Sequence, residues 1–152
     1  DPTTRLLRFH TDARSPKVAE IGAGEGGNTP MGVLLYDPEQ KIQIRCKGFG
    51  RIESEGPLAD TAWDQSTTFA RRCYLAEDAP GAISDGPVSG LPEWAEGLKP
   101  NEEQVAPARE NFAILLVEGE QIDWLFLSND GHRRAMLTAC AEGGWDGHWV
   151  VP

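Results

Sequence analysis

The strongest constraint on the fold is a series of short apolar segments in the last third of the chain, separated by turn residues. The segments are residues 112–117, 121–127, 133–139 and 148–151. The residues between them are Gly119, an Asn-Asp-Gly sequence and a Gly-Gly pair, which are typical of tight turns between neighbouring strands. Strands joined by such short connections pair antiparallel, so this region predicts an antiparallel sheet.

The N-terminal region predicts strands around one short helix. Residues 6–10 favour a strand, and Ser15 followed by Pro16 is typical of a helix start, which predicts a helix from residue 17 to residue 23. Residues 31–36 form an apolar run that predicts a buried strand.

Residues 41–53 begin with strict alternation of apolar and polar side chains, which is typical of a half-buried strand. Gly48 and Gly50 interrupt this alternation, and we expect a bulge or a sharp bend there. Such bends are one way in which a sheet closes into a barrel.

Residues 58–75 carry an apolar stripe and predict one continuous helix. Residues 76–100 are rich in Gly and Pro and predict a long loop, a feature that is often functional in compact domains. Asn101 can cap a short helix that runs to Arg109. Strands and helices therefore do not alternate, which disfavours a doubly wound fold. We predict a mainly β, antiparallel barrel with accessory helices, built as a single domain over residues 1–152.

Composition excludes several classes of function. The net charge of −10 argues against a general nucleic-acid binder, which needs clustered Lys and Arg. No apolar run approaches the roughly 20 residues that cross a bilayer, and we expect no membrane association. Cys46, Cys73 and Cys140 are odd in number and widely spaced, which favours neither disulfides nor a zinc site. We expect thiols in a reducing cytoplasm and no bound metal.

Three segments, in order along the chain, carry a family resemblance. The first runs from Leu7 to Lys17 and reads LRFHTDARSPK; the second, residues 42–48, reads IQIRCKG; the third combines QIDW at 121–124, HRR at 132–134 and the closing WVVP. Together they resemble the pyridoxamine 5'-phosphate oxidases. The resemblance implies an FMN-binding split β-barrel that forms a homodimer with FMN at the subunit interface. Family members usually have an additional strand before Leu6, which supplies an Arg to the FMN phosphate, so we expect this chain to begin in the turn after that strand.

The resemblance also implies site residues. The implied cofactor contacts are His10, Thr11, Ser15, Lys17, Gln43, Phe112 and Arg134, and the implied substrate contact is His132. Arg72 and Tyr74 are candidate substitutes for a family substrate-site Arg that this chain lacks. A cationic Lys near a helix start suits a phosphate, and a neutral amide suits the polar edge of a flavin ring. A permanently charged Arg can stabilise negative charge on a reduced ring. The resemblance assigns no catalytic acid or base.

Each of these residues has a plainer interpretation. Ser15 and Lys17 also suit a helix cap and a solvent-exposed side chain, and Gln43 suits the polar face of any strand. His10 and His132 suit hydrogen-bonded core histidines. Arg133 and Arg134 are adjacent on a strand, so at most one of them faces a given site.

The resulting prediction is an FMN-dependent oxidoreductase with a small-molecule substrate. The family Arg that lies two positions before the substrate-contacting His is replaced by Asp130, whose charge would repel the phosphate of pyridoxamine phosphate. The alternative is a non-catalytic split barrel that binds flavin or haem, and a third possibility is a barrel that has lost its cofactor.

Overall fold

The computed structural model describes residues 5–24 and 27–152. The turn expected in the first few residues falls largely outside them. The six strands are β1 Leu6–Asp12, β2 Thr29–Asp37, β3 Ile42–Glu53, β4 Phe112–Phe126, β5 Arg133–Ala139 and β6 Trp145–Val150. The α-helices are α1 Pro16–Gly22, α2 Pro57–Asp64, α3 Thr68–Arg71 and α4 Glu102–Val105, with 3₁₀ helices at Arg72–Leu75, Glu93–Ala95 and Ala106–Asn111.

The strands form one sheet in the order β2-β3-β4-β5-β6, with β1 also paired to β4. The pairs β2–β3, β4–β5 and β5–β6 are antiparallel. The prediction of a mainly β, antiparallel fold with accessory helices is therefore confirmed. Within the part of the chain that the structure describes, no helix is both long and apolar enough to cross a membrane.

The chain divides into two compact units. The first contains the described residues up to Leu7, Asn28–Gly50 and Leu116–Pro152, and the second contains Arg8–Gly27 and Arg51–Leu115. The prediction of a single domain over residues 1–152 stays a prediction.

In the first unit, β2 and β3 form a hairpin whose register runs from Thr29 opposite Gly50 to Asp37 opposite Ile42. The Asp37 carboxylate closes the turn, because it accepts hydrogen bonds from the N–H groups of Glu39 and Gln40, each at 2.9 Å. The local turn chemistry therefore sets the register of the hairpin.

Residues 31–36 lie in a strand as predicted, but the prediction that this strand is buried is wrong. Leu34, Leu35 and Tyr36 are 64%, 44% and 55% exposed. The reason is the position of β2 at the end of the strand order, where β3 is its one strand neighbour among the described residues. An apolar run indicates a strand here, but it does not specify whether both faces of that strand are covered.

A bulge or bend was expected at Gly48, and Gly119 was expected to separate two strands, but both glycines lie inside continuous strands. β3 continues through Gly48, and β4 is a single strand of 15 residues that passes through Gly119. A Cβ atom at Gly48 would lie 1.8 Å from the carbonyl oxygen of Glu118, and one at Gly119 would lie 2.9 Å from the Cys46 sulfur. Gly48 therefore permits a close backbone approach between β3 and β4, and Gly119 leaves room for the Cys46 side chain, so neither marks a turn.

The second unit has an apolar core in which Phe112, Ile114 and Val105 are fully buried. Short helices surround this core, and the prediction of one helix over residues 58–75 is wrong. α2 ends at Asp64, and Thr67 caps α3 by accepting a hydrogen bond from the N–H of Ala70 at 3.1 Å. Side-chain caps thus divide this segment into short pieces.

The Arg71 side chain, at the end of α3, hydrogen-bonds to the backbone at the end of α2. It is buried, and its guanidinium donates to the carbonyl oxygens of Trp63 and Asp64 at 2.9 and 3.0 Å and to the Glu102 carboxylate at 2.6 Å. Arg71 thereby adds donors to the last carbonyl oxygens of α2, where the supply of helical N–H groups ends.

The predicted loop over residues 76–100 is present, with only the short turn Glu93–Ala95 inside it. Asn101 caps α4 as expected, in a capping box with Gln104. The α-helix ends at Val105 rather than Arg109, because the segment continues as a 3₁₀ helix that contains Pro107.

Candidate functional site

The predicted site residues fall in both units, and each unit is described by itself. The first unit holds Gln43, His132 and Arg134, and the second holds His10, Thr11, Ser15, Lys17, Arg72 and Phe112.

A hydrogen-bonded network joins two predicted cofactor residues of the first unit. Arg134 donates to the Asp123 carboxylate through Nε and Nη2, each at 2.9 Å, and Arg45 donates to the same carboxylate at 3.4 Å. With its amide oxygen turned toward Arg45, Gln43 accepts from Nη2 and Nε of that residue at 2.9 and 3.0 Å. Gln43 and Arg134 are therefore linked through Arg45 and Asp123.

Strand geometry places this network on one face of the sheet. Gln43 and Arg45 are two residues apart on β3, so their side chains share a face. Arg134 on β5 lies opposite Leu125, which is two residues from Asp123 on β4. We call the face that carries Gln43, Arg45, Asp123 and Arg134 the network face.

The network carries more positive than negative charge, since two guanidinium groups share one carboxylate. The hydrogen bond from Arg134 is the main reason that the pKa of Asp123 lies below its usual value. The same bond raises the pKa of Arg134. The network therefore stays charged at neutral pH, and it offers guanidinium donors and an amide side by side.

The two residues before Arg134, His132 and Arg133, do not share in the hydrogen bonds of the network that are described above. Arg133 is adjacent to it and projects from the other face of β5, where its guanidinium donates to the carbonyl oxygens of Gly131 and His132 at 3.2 and 2.9 Å. The His132 side chain is exposed in the turn before β5. The structure does not bring this imidazole into contact with the network among the described residues.

In the second unit, the end of β1 is tied to the start of α1. Asp12 is buried and receives two guanidinium hydrogen bonds from Arg14, at 3.0 and 2.9 Å. Its carbonyl oxygen accepts from the N–H of Ser15 at 3.1 Å. This tight turn fixes the backbone on which four of the predicted site residues lie.

Two of those residues surround the helix start. Ser15 occupies the N-cap position and is buried, but its hydroxyl makes no capping hydrogen bond to α1. Lys17 is exposed. α1 spans seven residues, so its dipole is short, and a phosphate placed here would depend mainly on the hydroxyl and the ammonium group. Thr11 is buried, and its hydroxyl points to the carbonyl oxygen of Asp12 at 3.5 Å.

Phe112 lies at the centre of an aromatic cluster. The rings of His10, Trp63 and Tyr74 each meet it edge to face, with centroid distances of 5.1, 5.3 and 5.1 Å. Burial raises the pKa of Tyr74 to about 12 and, together with Arg8, lowers the pKa of His10. Phe112 is fully buried, so the structure gives it a packing role, and its predicted contact with a cofactor stays a prediction.

Arg72 is held by the long loop. Its guanidinium donates to the carbonyl oxygens of Leu98 and Ala95 at 2.7 and 3.4 Å, and it lies 4.4 Å from the centre of the Phe69 ring. These contacts give Arg72 a part in fixing the loop, and its predicted contact with substrate stays a prediction.

The structure is similar to solved structures over nearly its whole length. One is a pyridoxamine 5'-phosphate oxidase-related, FMN binding protein from Nostoc punctiforme PCC 73102, with a TM-score of 0.72 and 21% identity, covering 98% of this chain and 74% of that one. Another is PhzG from Burkholderia lata 383, in complex with tetrahydrophenazine-1-carboxylic acid, with a TM-score of 0.63 and 20% identity, covering 97% of this chain and 69% of that one. The fold is the pyridoxamine 5'-phosphate oxidase-like split barrel. No protein-family model and no curated protein matches the chain.

Sequence reasoning missed two members of this split barrel's network. Arg45 lies two residues after Gln43 in the alternating strand, and Asp123 lies inside the QIDW segment, so both were visible as polar residues in strands. Their partnership depends on the β4–β5 register, which the sequence does not specify. In the part of the chain that the structure describes, no three His, Cys, Asp or Glu side chains are grouped so as to hold a metal ion.

Proposed function

We propose that the protein is an FMN-binding oxidoreductase related to the pyridoxamine 5'-phosphate oxidases, and that it acts on a small molecule. The observation that carries the proposal is the network of Gln43, Arg45, Asp123 and Arg134 on one sheet face, in a fold shared with an FMN binding protein. FMN supplies hydride or electron transfer when bound, and the protein positions it and tunes its electronics.

The donor set of the first unit fits the ring of FMN. The polar edge of a flavin presents carbonyl oxygens and ring nitrogens, which an amide and guanidinium groups can meet. We propose that Gln43 and Arg134 bind this edge and that Arg45 and Asp123 hold them in position. The excess positive charge of the network favours a ring that gains negative charge on reduction.

The donor set of the second unit, taken by itself, suits a phosphate group such as that of FMN. Lys17 is an exposed cation, and the Ser15 hydroxyl makes no capping bond, so both are available to phosphate oxygens. We propose that Ser15 and Lys17 bind the phosphate and that His10 and Thr11 contact the flavin and its side chain. Phe112 supports His10 from within the aromatic cluster.

We further propose a homodimer that forms through the network face. Tyr36 and Leu34 on β2 lie opposite Gln43 and Arg45, and directly opposed residues share a face. Both are more than half exposed, at 55% and 64%. Large apolar side chains next to a polar network are typical of an interface whose core excludes water.

Substitution of these side chains tests the dimer. Leu34→Glu with Tyr36→Glu should convert a dimer to a monomer in sedimentation velocity, because two charges would be buried at the interface. The same substitutions at exposed positions of the long loop, Ile83→Glu and Val88→Glu, serve as the control and should leave the dimer intact. A wild-type monomer at high protein concentration contradicts this part of the proposal.

The oxidoreductase activity requires its own test. The protein is loaded with FMN, free FMN is removed, and NADH or NADPH is added without oxygen while the flavin absorption is followed. Bleaching of the bound flavin, followed by its return when air is admitted, supports an oxidoreductase. Bound flavin that neither nicotinamide donor reduces supports the non-catalytic flavin-binding alternative instead.

A further inference from the structure

The first unit contains an apolar cavity that the proposed function does not use. The cavity has a volume of about 280 Å³. Its walls include Leu7, Leu35, Ile44, Cys46, Ile122 and Trp145. An apolar cavity of about 150 Å³ is enough to take up benzene, so this one can hold a substituted ring.

The cavity lies on the side of the sheet opposite to the network face. Ile44 sits between Gln43 and Arg45 on β3, and Ile122 precedes Asp123 on β4. Because side chains alternate along a strand, Ile44 and Ile122 project away from the network. A molecule in the cavity would therefore not compete with one bound on the network face.

The backbone contributes to the space in the cavity. Gly119 lines it, and a Cβ atom at this position would lie 2.9 Å from the sulfur of Cys46 and 3.6 Å from the Trp145 ring. Burial raises the pKa of the Cys46 thiol, so this wall is uncharged at neutral pH. The cavity therefore suits an uncharged apolar group.

Arg5 gives one end of the cavity a polar character. It also lines a second cavity of about 420 Å³, together with Glu118, Glu120 and Thr138. Its guanidinium contacts are long, at 3.6 Å to the Glu118 carboxylate and 3.5 Å to the Cys140 carbonyl oxygen. Charge-assisted hydrogen bonds are normally near 2.7–2.9 Å, so Arg5 retains donor capacity for a ligand.

We propose that this cavity is a binding site for an uncharged molecule of about one aromatic ring that carries a single hydrogen-bond acceptor. The apolar body would lie against Ile44, Ile122 and Trp145, and the acceptor would meet Arg5. The site is separate from the proposed flavin site and does not depend on it.

Two probes of similar shape test the proposal, acetophenone with a carbonyl acceptor and cumene without one. Each is titrated into the whole chain while amide resonances are followed by NMR. Acetophenone should shift the resonances of cavity residues and bind about tenfold more tightly than cumene, since one hydrogen bond to a charged group separates them. Arg5→Met should remove that difference.

A matched pair of variants tests the location. Ile44 and Ile42 are half-buried on the same face of β3, but only Ile44 lines the cavity. Ile44→Phe should fill the space and weaken acetophenone binding about tenfold or more, whereas Ile42→Phe should leave it unchanged. Equal weakening by both variants, or shifts confined to the network face, would overturn the proposal.

The cavity can also be tested in the wild-type protein, so that the result does not depend on whether a variant folds. Acetophenone should slow the reaction of buried Cys46 with methyl methanethiosulfonate and leave that of exposed Cys73 unchanged. Equal rates at Cys46 with and without saturating acetophenone would contradict the site. FMN retention, read from flavin absorption, should be the same with and without acetophenone. Loss of Cys46 protection would therefore count against the cavity alone, and loss of FMN retention would count against the flavin site alone.

Discussion

Arg134 and Asp123 form a two-point ion pair across β4 and β5, in which Nε and Nη2 of the guanidinium each lie 2.9 Å from a different carboxylate oxygen. Arg45 approaches the same carboxylate from β3 at 3.4 Å. One acid on β4 thus orients two guanidinium groups, one on each of the neighbouring strands β3 and β5. This relationship determines the direction in which the donors of the network face project.

Asp123→Asn should make stability less dependent on acid pH. The pKa of Asp123 is lowered in the folded protein, chiefly by the hydrogen bond from Arg134, so its contribution to stability is present above the unfolded pKa of about 3.9. This contribution is lost as the pH falls from there through the folded pKa. Urea unfolding should therefore show the wild type to be the more stable protein at pH 7, with the difference shrinking toward pH 3.

Asp130→Asn is the control for this experiment, because Asp130 is an exposed acid in the turn before β5. Its substitution should leave the pH dependence of unfolding as in the wild type. A difference between wild type and Asp123→Asn that is constant from pH 7 to pH 3 would show that the ion pair does not govern the titration.

Gly48→Ala should destabilise the first unit. An added Cβ would lie 1.8 Å from the Glu118 carbonyl oxygen, so the backbones of β3 and β4 would have to separate. Overpacking of this kind typically costs about 1–3 kcal/mol in the free energy of unfolding. Gly32→Ala on β2 is the matched control, since its added methyl meets no atom within 4 Å. Equal unfolding midpoints in urea for the two variants would refute the close approach.

Lys17→Ala should reduce the preference of the protein for FMN over riboflavin, which lacks the phosphate. The exposed ammonium group at the start of α1 would contribute to phosphate binding alone, so riboflavin affinity should hardly change. Fluorescence titrations with both flavins should show FMN affinity falling about tenfold, as expected for one charge-assisted hydrogen bond. Lys99→Ala, another exposed cation, is the control, and an equal loss of both flavins in Lys17→Ala would argue against a phosphate contact.

The sequence predicts the strands better than their burial or their continuity. Alternation identified β3, and the Asn-Asp-Gly turn separated β4 from β5. The bulge or bend expected at Gly48 and the turn expected at Gly119 are both absent from the described strands. A glycine in a strand can mark either an irregularity or a close contact with another strand. Only the positions of β3 and β4 in the sheet distinguish the two possibilities.

In residues 58–75, capping residues end a helix that the apolar pattern alone predicts to be continuous. An apolar stripe over residues 58–75 predicts one helix, yet Ser66 and Thr67 bond to the backbone and Arg71 takes the carbonyls at the end of α2. The Ser-Thr-Thr sequence was a readable signal for a helix boundary. The part played by Arg71 was not readable, because its ion-pair partner Glu102 lies 31 residues away.

The candidate site was predictable only in part. Pattern and resemblance selected Gln43 and Arg134, which the structure joins in one network, but not Arg45 and Asp123, which complete it. Long-range register decides such partnerships, and register in a sheet follows from packing and turns that a single sequence does not fix.

Flavin binding on the network face is tested most directly by the absorption spectrum of the protein after incubation with excess FMN and removal of free ligand. We expect two flavin bands with about one FMN per chain, and a loss of retained FMN in Arg134→Ala. Arg133→Ala, which changes the adjacent Arg on the opposite face of β5, should retain FMN as the wild type does. A wild-type protein that remains colourless, or equal retention by the Arg134 and Arg133 variants, would contradict the assignment of the network face as a flavin site.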